Sequence, residues 1–158
     1  FVNYFIVTSP VDLSYWWKVM PDMDKCLKAA QKLVEDGQPN AIIPYVFGGF
    51  SPMSAQTVLN FYNAENLKNC PVITNDGETN SLKSIKINGA FIIGGKDNMA
   101  DGNPKGFLER INSYCNHPKN NRIVVIDGAS HVFYNKHNEY ASAILECVEN
   151  VVSSTISI

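Results

Sequence analysis

Two short stretches of the 158-residue chain place the residue types of acid–base catalysis directly after apolar runs. Ala90-Phe91-Ile92-Ile93 leads into Gly94-Gly95-Lys96-Asp97-Asn98, and Ile123-Val124-Val125-Ile126 leads into Asp127-Gly128-Ala129-Ser130-His131. A carboxylate bonded to one imidazole nitrogen fixes the tautomer and stabilises the cation, leaving the other nitrogen to act as a general base. Asp97 and His131 take those roles on a catalytic reading. On a structural reading Asp97 caps a turn before Asn98, and His131 is a loop histidine with one hydrogen bond. His117, in the polar turn Asn116-His117-Pro118-Lys119, and His137, opening the last helical pattern, are expected at the surface. Asp127 is expected to cap the turn after its strand. The pair lacks a nucleophile.

The elements that must position the pair follow from hydrophobic periodicity. Residues 2–9 are rich in β-branched and aromatic types, and Tyr4-Phe5-Ile6-Val7 is continuously apolar, as in a strand covered on both faces. Residues 13–21 are densely apolar and close at Pro21. A helix follows, with Asp22 as its cap, Met23, Leu27, Ala30 and Val34 on one face, Lys25, Lys28 and Lys32 on the solvated face, and Gly37 and Pro39 as its stop. Residues 41–50 read as a loop or short extended piece, and Ser51-Pro52 as the cap and first position of a helix ending near Tyr62. Residues 63–82 are polar. From residue 83 the pattern becomes strand, helix, strand, helix, with Asn103-Pro104 opening one helix and His137 to Val152 forming the last, on a stripe of Tyr140, Ile144, Val148 and Val151. This alternation predicts an α/β fold with parallel strands and covering helices. In such sheets ligands bind beyond the carboxyl ends of the strands. That rule selects three loops: Ser9-Pro10-Val11-Asp12, the Asp97 turn and the His131 turn.

Composition removes several classes of function. Apolar residues make up 45% and charged residues 18%, and the formal net charge is −2, so neither a disordered chain nor a basic nucleic-acid binder is expected. The apolar runs are too short to span a bilayer, and no membrane partner is expected. Cys26, Cys70, Cys115 and Cys147 are widely spaced, which argues against a zinc site and a disulfide scaffold and points to a reducing, cytoplasmic setting.

The order of acid, helix, strand and histidine resembles the C-terminal half of an α/β-hydrolase. Gly94-Gly95-Lys96-Asp97 is similar to the family's Gly-x-x-Asp turn after its seventh strand. Gly128-Ala129-Ser130-His131, followed by Val132-Phe133, is similar to its Gly-x-x-His turn after the eighth. Tyr4 to Pro10 resembles the sixth strand. The resemblance implies three segments: a core strand and site loop over 1–14, a helical lid or cap over 15–82, and a strand–helix–strand–helix unit over 83–158 bearing acid and histidine. It implies catalysis by Asp97 and His131, with nearby Asp101 as one alternative acid and Asp12 as another, since some members place the acid after the sixth strand. No metal or organic cofactor is implied. Trp16, Trp17, Tyr45, Phe47, Phe50, Met53 and Phe61 of the aromatic-rich insert serve either as the core of the lid or together as the wall of an apolar acyl pocket, and some of Trp16, Trp17 and Phe50 are expected to face the substrate.

The family's nucleophile elbow, G-x-S-x-G, is missing from these residues. Gly48-Gly49-Phe50-Ser51-Pro52 fails as a substitute, since no buried strand precedes it and Pro52 has no amide to donate to an oxyanion. The expectation is therefore a fragment, or one chain of a nicked or split enzyme, whose partner is the N-terminal half carrying the nucleophile. The implied reaction is hydrolysis of an ester, thioester or related acyl bond through a serine on that partner. The same frame also hosts lyases, dehalogenases, acyltransferases and cyclases, and non-catalytic ligand-binding members.

Overall fold

The computed structural model describes residues 4–11, 15, 19, 21–47, 51–62, 80–100 and 102–156. Among these, three strands form one parallel sheet in the order β1 (Phe5–Thr8), β2 (Gly89–Gly94), β3 (Arg122–Ile126). Its register sets Val7 beside Phe91, and Phe91 beside Ile123. Because successive side chains of a strand point to opposite faces, the sheet sorts its apolar residues into two layers. Phe91 and Ile93, with Phe5, Val7 and Ile123, pack on Phe107, Leu108 and Ile111 of helix α4 (Pro104–Ser113). Ala90 and Ile92, with Tyr4, Ile6 and Val124, pack on Ala143 and Cys147 of helix α5 (His137–Ile156). Every residue of β2 is buried, as the continuous apolar run predicts for a central strand. β1 and β3 are only half-covered, and Val125 is 36% exposed. The buried-type readings of residues 4–7 and 123–126 are corrected accordingly: among the described residues both β1 and β3 are edge strands.

The insert has its own core. Helix α1 (Met23–Glu35) buries Met23, Cys26 and Ala30, and helix α2 (Ala55–Tyr62) buries Ala55 and Val58, with Ile43 and Phe47 between them. The expected stripe holds for Met23, Ala30 and Val34, but Cys26 rather than Leu27 is buried between them. Asp22 stands at the N-cap position of α1, as expected, but its side chain makes no capping hydrogen bond. Its backbone is left-handed, at φ 60°, and its carboxylate instead pairs with Lys25 at 2.6 Å. The stop is as expected: Gly37, at φ 75°, lets its amide reach the Val34 carbonyl and the Gln38 amide reach that of Leu33. Ser51 is likewise not the cap of α2. It forms an antiparallel bridge with Phe47, and the cap is Ser54, whose Oγ accepts from the Thr57 amide at 3.3 Å. A four-residue helix, α3 (Asn80–Lys83), precedes β2.

Asparagines fix the strands at the end away from the Asp97 and His131 turns. Asn121 accepts from the Gly89 amide at 2.9 Å and donates to Asn112, which in turn donates to the Pro118 carbonyl at 2.9 Å. This chain joins the start of β2 to α4 and to the 3-10 turn Pro118–Asn120. Asn103 caps α4 as its sequence predicts, accepting from the Gly106 amide at 3.0 Å. On α5 the expected stripe holds for Tyr140 and Ile144, but Val148 is 45% exposed and Cys147 occupies the buried position beside it.

Candidate active site

The sheet brings Asp97 and His131 together at the carboxyl ends of the adjacent strands β2 and β3. His131 Nδ1 lies 2.9 Å from Asp97 Oδ2 and 3.1 Å from Oδ1. The Asp97 side chain is fully buried, and that of His131 is 24% exposed. Asp97 Oδ1 also accepts from the Met99 amide at 2.8 Å. The carboxylate therefore both closes its own turn and contacts the imidazole. Among the described residues nothing bonds His131 Nε2, which leaves that nitrogen to meet a reacting group.

The two turns are joined through their backbones. The Gly95 amide donates to the Ile126 carbonyl at 2.9 Å and the Lys96 amide to that of Ala129 at 2.8 Å. Gly94 is required sterically, since a Cβ there would lie 2.5 Å from the Ser130 carbonyl oxygen and closer still to that of Ala129. Only glycine permits this approach of one loop to the other. After His131, Phe133 takes a left-handed backbone, at φ 54°, and stacks on Tyr140 at 4.2 Å between ring centroids. Such a conformation is costly for an aromatic residue and needs support from its surroundings. The ring stack and the 3.0 Å bond from the Phe133 amide to the Ser130 carbonyl supply it.

The third loop contributes Ser9. Its amide donates to the Ile92 carbonyl at 2.8 Å, and its Oγ to the His131 carbonyl at 2.6 Å. Sequence reasoning placed Ser9 in a site loop but gave it no role. Its hydroxyl was a visible signal, but the bend that aims it was not.

The other candidates separate cleanly. His117 and His137 are exposed, as expected. Asp127 is also exposed and lines a groove of about 510 Å³ between β3 and the start of α5 that touches neither Asp97 nor His131. Phe47 is fully buried and meets Phe61 edge to face at 6.0 Å, so Phe47 belongs to the insert's core. Asp12, Asp101, Trp16, Trp17 and Phe50 lie outside the described residues. Among the described residues no group of three or more His, Cys, Asp or Glu side chains is placed to hold a metal ion, and no helix is long and apolar enough to cross a membrane. Cys26, Cys115 and Cys147 are free thiols, and burial pushes each of them up from its ordinary pKa.

In comparisons with protein-family models, curated proteins and solved structures, the chain matches none.

Proposed function

We propose that Asp97 and His131 are the acid and base of a serine-type acyl hydrolase with an α/β-hydrolase-like frame. The observation that carries this reading is the 2.9 Å contact between His131 Nδ1 and the buried Asp97 carboxylate, at the carboxyl ends of neighbouring parallel strands. Asp97 orients the ring and stabilises the imidazolium. Nε2 takes the proton from a serine hydroxyl as it attacks the acyl carbon, then gives it to the leaving group. A water activated by the same nitrogen releases the acid. The substrate class is an ester, thioester or related acyl compound. Among the three candidate acids, the contact favours Asp97.

The serine belongs to a segment other than these 158 residues. A further strand on the free side of β1 would carry it, extending the order β1-β2-β3 by one. The resemblance of Tyr4 to Pro10 to the strand that follows the elbow-bearing one selects this side, and Phe5, Ile6 and Val7 are half-covered there among the described residues. The insert over 15–82 would act as a lid over the acyl group.

Fluorophosphonate labelling of the native preparation, resolved under denaturing conditions with mass readout, tests this reading. A labelled companion polypeptide is expected, with labelling and ester hydrolysis both lost in His131→Ala. Full hydrolysis by His131→Ala would overturn the role of the histidine. Label on this chain itself would overturn the placement of the serine, and an unlabelled companion would point to another nucleophile or to a binding protein.

A further inference from the structure

We infer that Ser9 is a positioning residue for His131, acting through the histidine's own carbonyl. The inference rests on the catalytic reading of the pair but is read out without any substrate. Three observations carry it. Ser9 is a non-glycine residue at φ 45°, in the sparsely occupied left-handed region, which at a strand end is a sign of an over-determined position. Its amide still completes the ladder to Ile92, so the bend begins only after pairing with β2 ends. The bend sends Oγ across the end of β2 to the loop after β3, where it donates to the His131 carbonyl at 2.6 Å. β1 and β3 are not neighbours, so this bond spans the central strand. Gly94 makes the crossing possible, because any side chain there would lift the Ala129–Ser130 backbone away from β2.

His131 is thereby held at two points: Ser9 fixes its main chain and Asp97 fixes its ring. A histidine anchored only through Nδ1 would pivot about the carboxylate and move Nε2 relative to the reacting group, and such misplacement is costly in catalysis. A hydroxyl donating to the backbone removes that freedom while leaving both ring nitrogens to the chemistry.

The test is the low-field proton NMR signal of His131 Nδ1–H, with its rate of exchange with water, recorded on the native protein with any companion polypeptide retained. Asp97→Asn identifies the signal by abolishing it. Ser9→Gly removes the hydroxyl and accepts the left-handed φ without strain. The expected result is several-fold faster exchange, or broadening of the signal beyond detection, with amide dispersion elsewhere unchanged. Ser9→Cys keeps the shape with a much weaker donor, should be intermediate, and decides the matter if the glycine variant does not fold. Wild-type exchange in a folded Ser9→Gly or Ser9→Cys protein would overturn the inference while leaving the Asp97–His131 pair intact. Absence of an Asp97-dependent signal from the wild type would overturn the pair, and the inference with it.

Discussion

At the scale of single residues, the Asp97 carboxylate accepts from both the Met99 amide and His131 Nδ1, and it is closed to water. Asparagine fits the same space but presents its amide in place of one carboxylate oxygen, which favours the wrong imidazole tautomer. On the proposed function, Asp97→Asn in the native preparation should lower kcat by a factor on the order of 10³–10⁴ with KM little changed, as steady-state kinetics on an activated ester would report. The thiols make a second residue-scale case. Burial raises the pKa of Cys26, Cys115 and Cys147, so the native protein holds them as neutral thiols. Alkylation with iodoacetamide, followed by peptide mapping, should modify these three slowly in native buffer and readily in denaturant. The linkage to stability has a definite sign. A raised pKa in the folded state contributes stability that is complete below the unfolded thiol value of about 8.5 and is lost as pH rises through the folded value. The urea midpoint should therefore fall above that pH, and less so once the three thiols are replaced by alanine or serine.

At the scale of elements, the strand ends carry Asp97, His131 and Ser9, and the strand interiors carry the buried apolar core. Phe91 is 1% exposed and faces α4, where its ring meets Phe5 at 5.3 Å between centroids. Phe91→Ala should cost about 3–5 kcal/mol, and Asn103→Ala, which removes only the α4 cap, about 1 kcal/mol, both measured by urea unfolding. The sequence displayed these elements to unequal degrees. Ala90 to Ile93 and Ile123 to Ile126 are continuous β-rich runs with glycine beyond them, and Asn103-Pro104 is a self-contained helix start. All three signals are local, and all three elements form. Asp22 and Ser51 carry residue types that suit caps, yet neither side chain makes a capping bond, because the chain direction at those points is set by packing of α1 against α2 and by the Phe47–Ser51 bridge. Cap chemistry is legible from residue type, whereas the direction of the preceding chain is not. Cys26 displaced Leu27 from the buried face of α1 for the same reason: several adjacent apolar residues leave the rotation of a helix to tertiary contacts.

At the scale of the whole molecule, the sheet is buried at its centre and, among the described residues, open toward its sides. β2 is covered by strands at both edges and by helices on both faces. Amide hydrogen exchange should accordingly find residues 90–94 the slowest in the sheet, with β1 and β3 opening sooner. A companion strand on β1 would reverse that order for β1 alone, so exchange measured with and without the companion distinguishes the two situations. Asp97 and His131 were legible as a pair because each follows its own strand in the alternating pattern. Their contact depended on β2 and β3 being neighbours, and on Gly94 letting the loops approach, neither of which a one-dimensional pattern records.

Ser9 and His131 also bear on how the molecule forms. They are 122 positions apart along the chain and are joined by one bond. Contacts of such long range arise only after the intervening chain has closed, whereas helices such as α1 and α5 form from neighbours within microseconds. During refolding, far-UV ellipticity should recover first and the orientation of His131 later, when β1 docks on β2. Helical signal and the Asp97–His131 contact would then return on separate clocks, and the interval between them measures the assembly of the sheet.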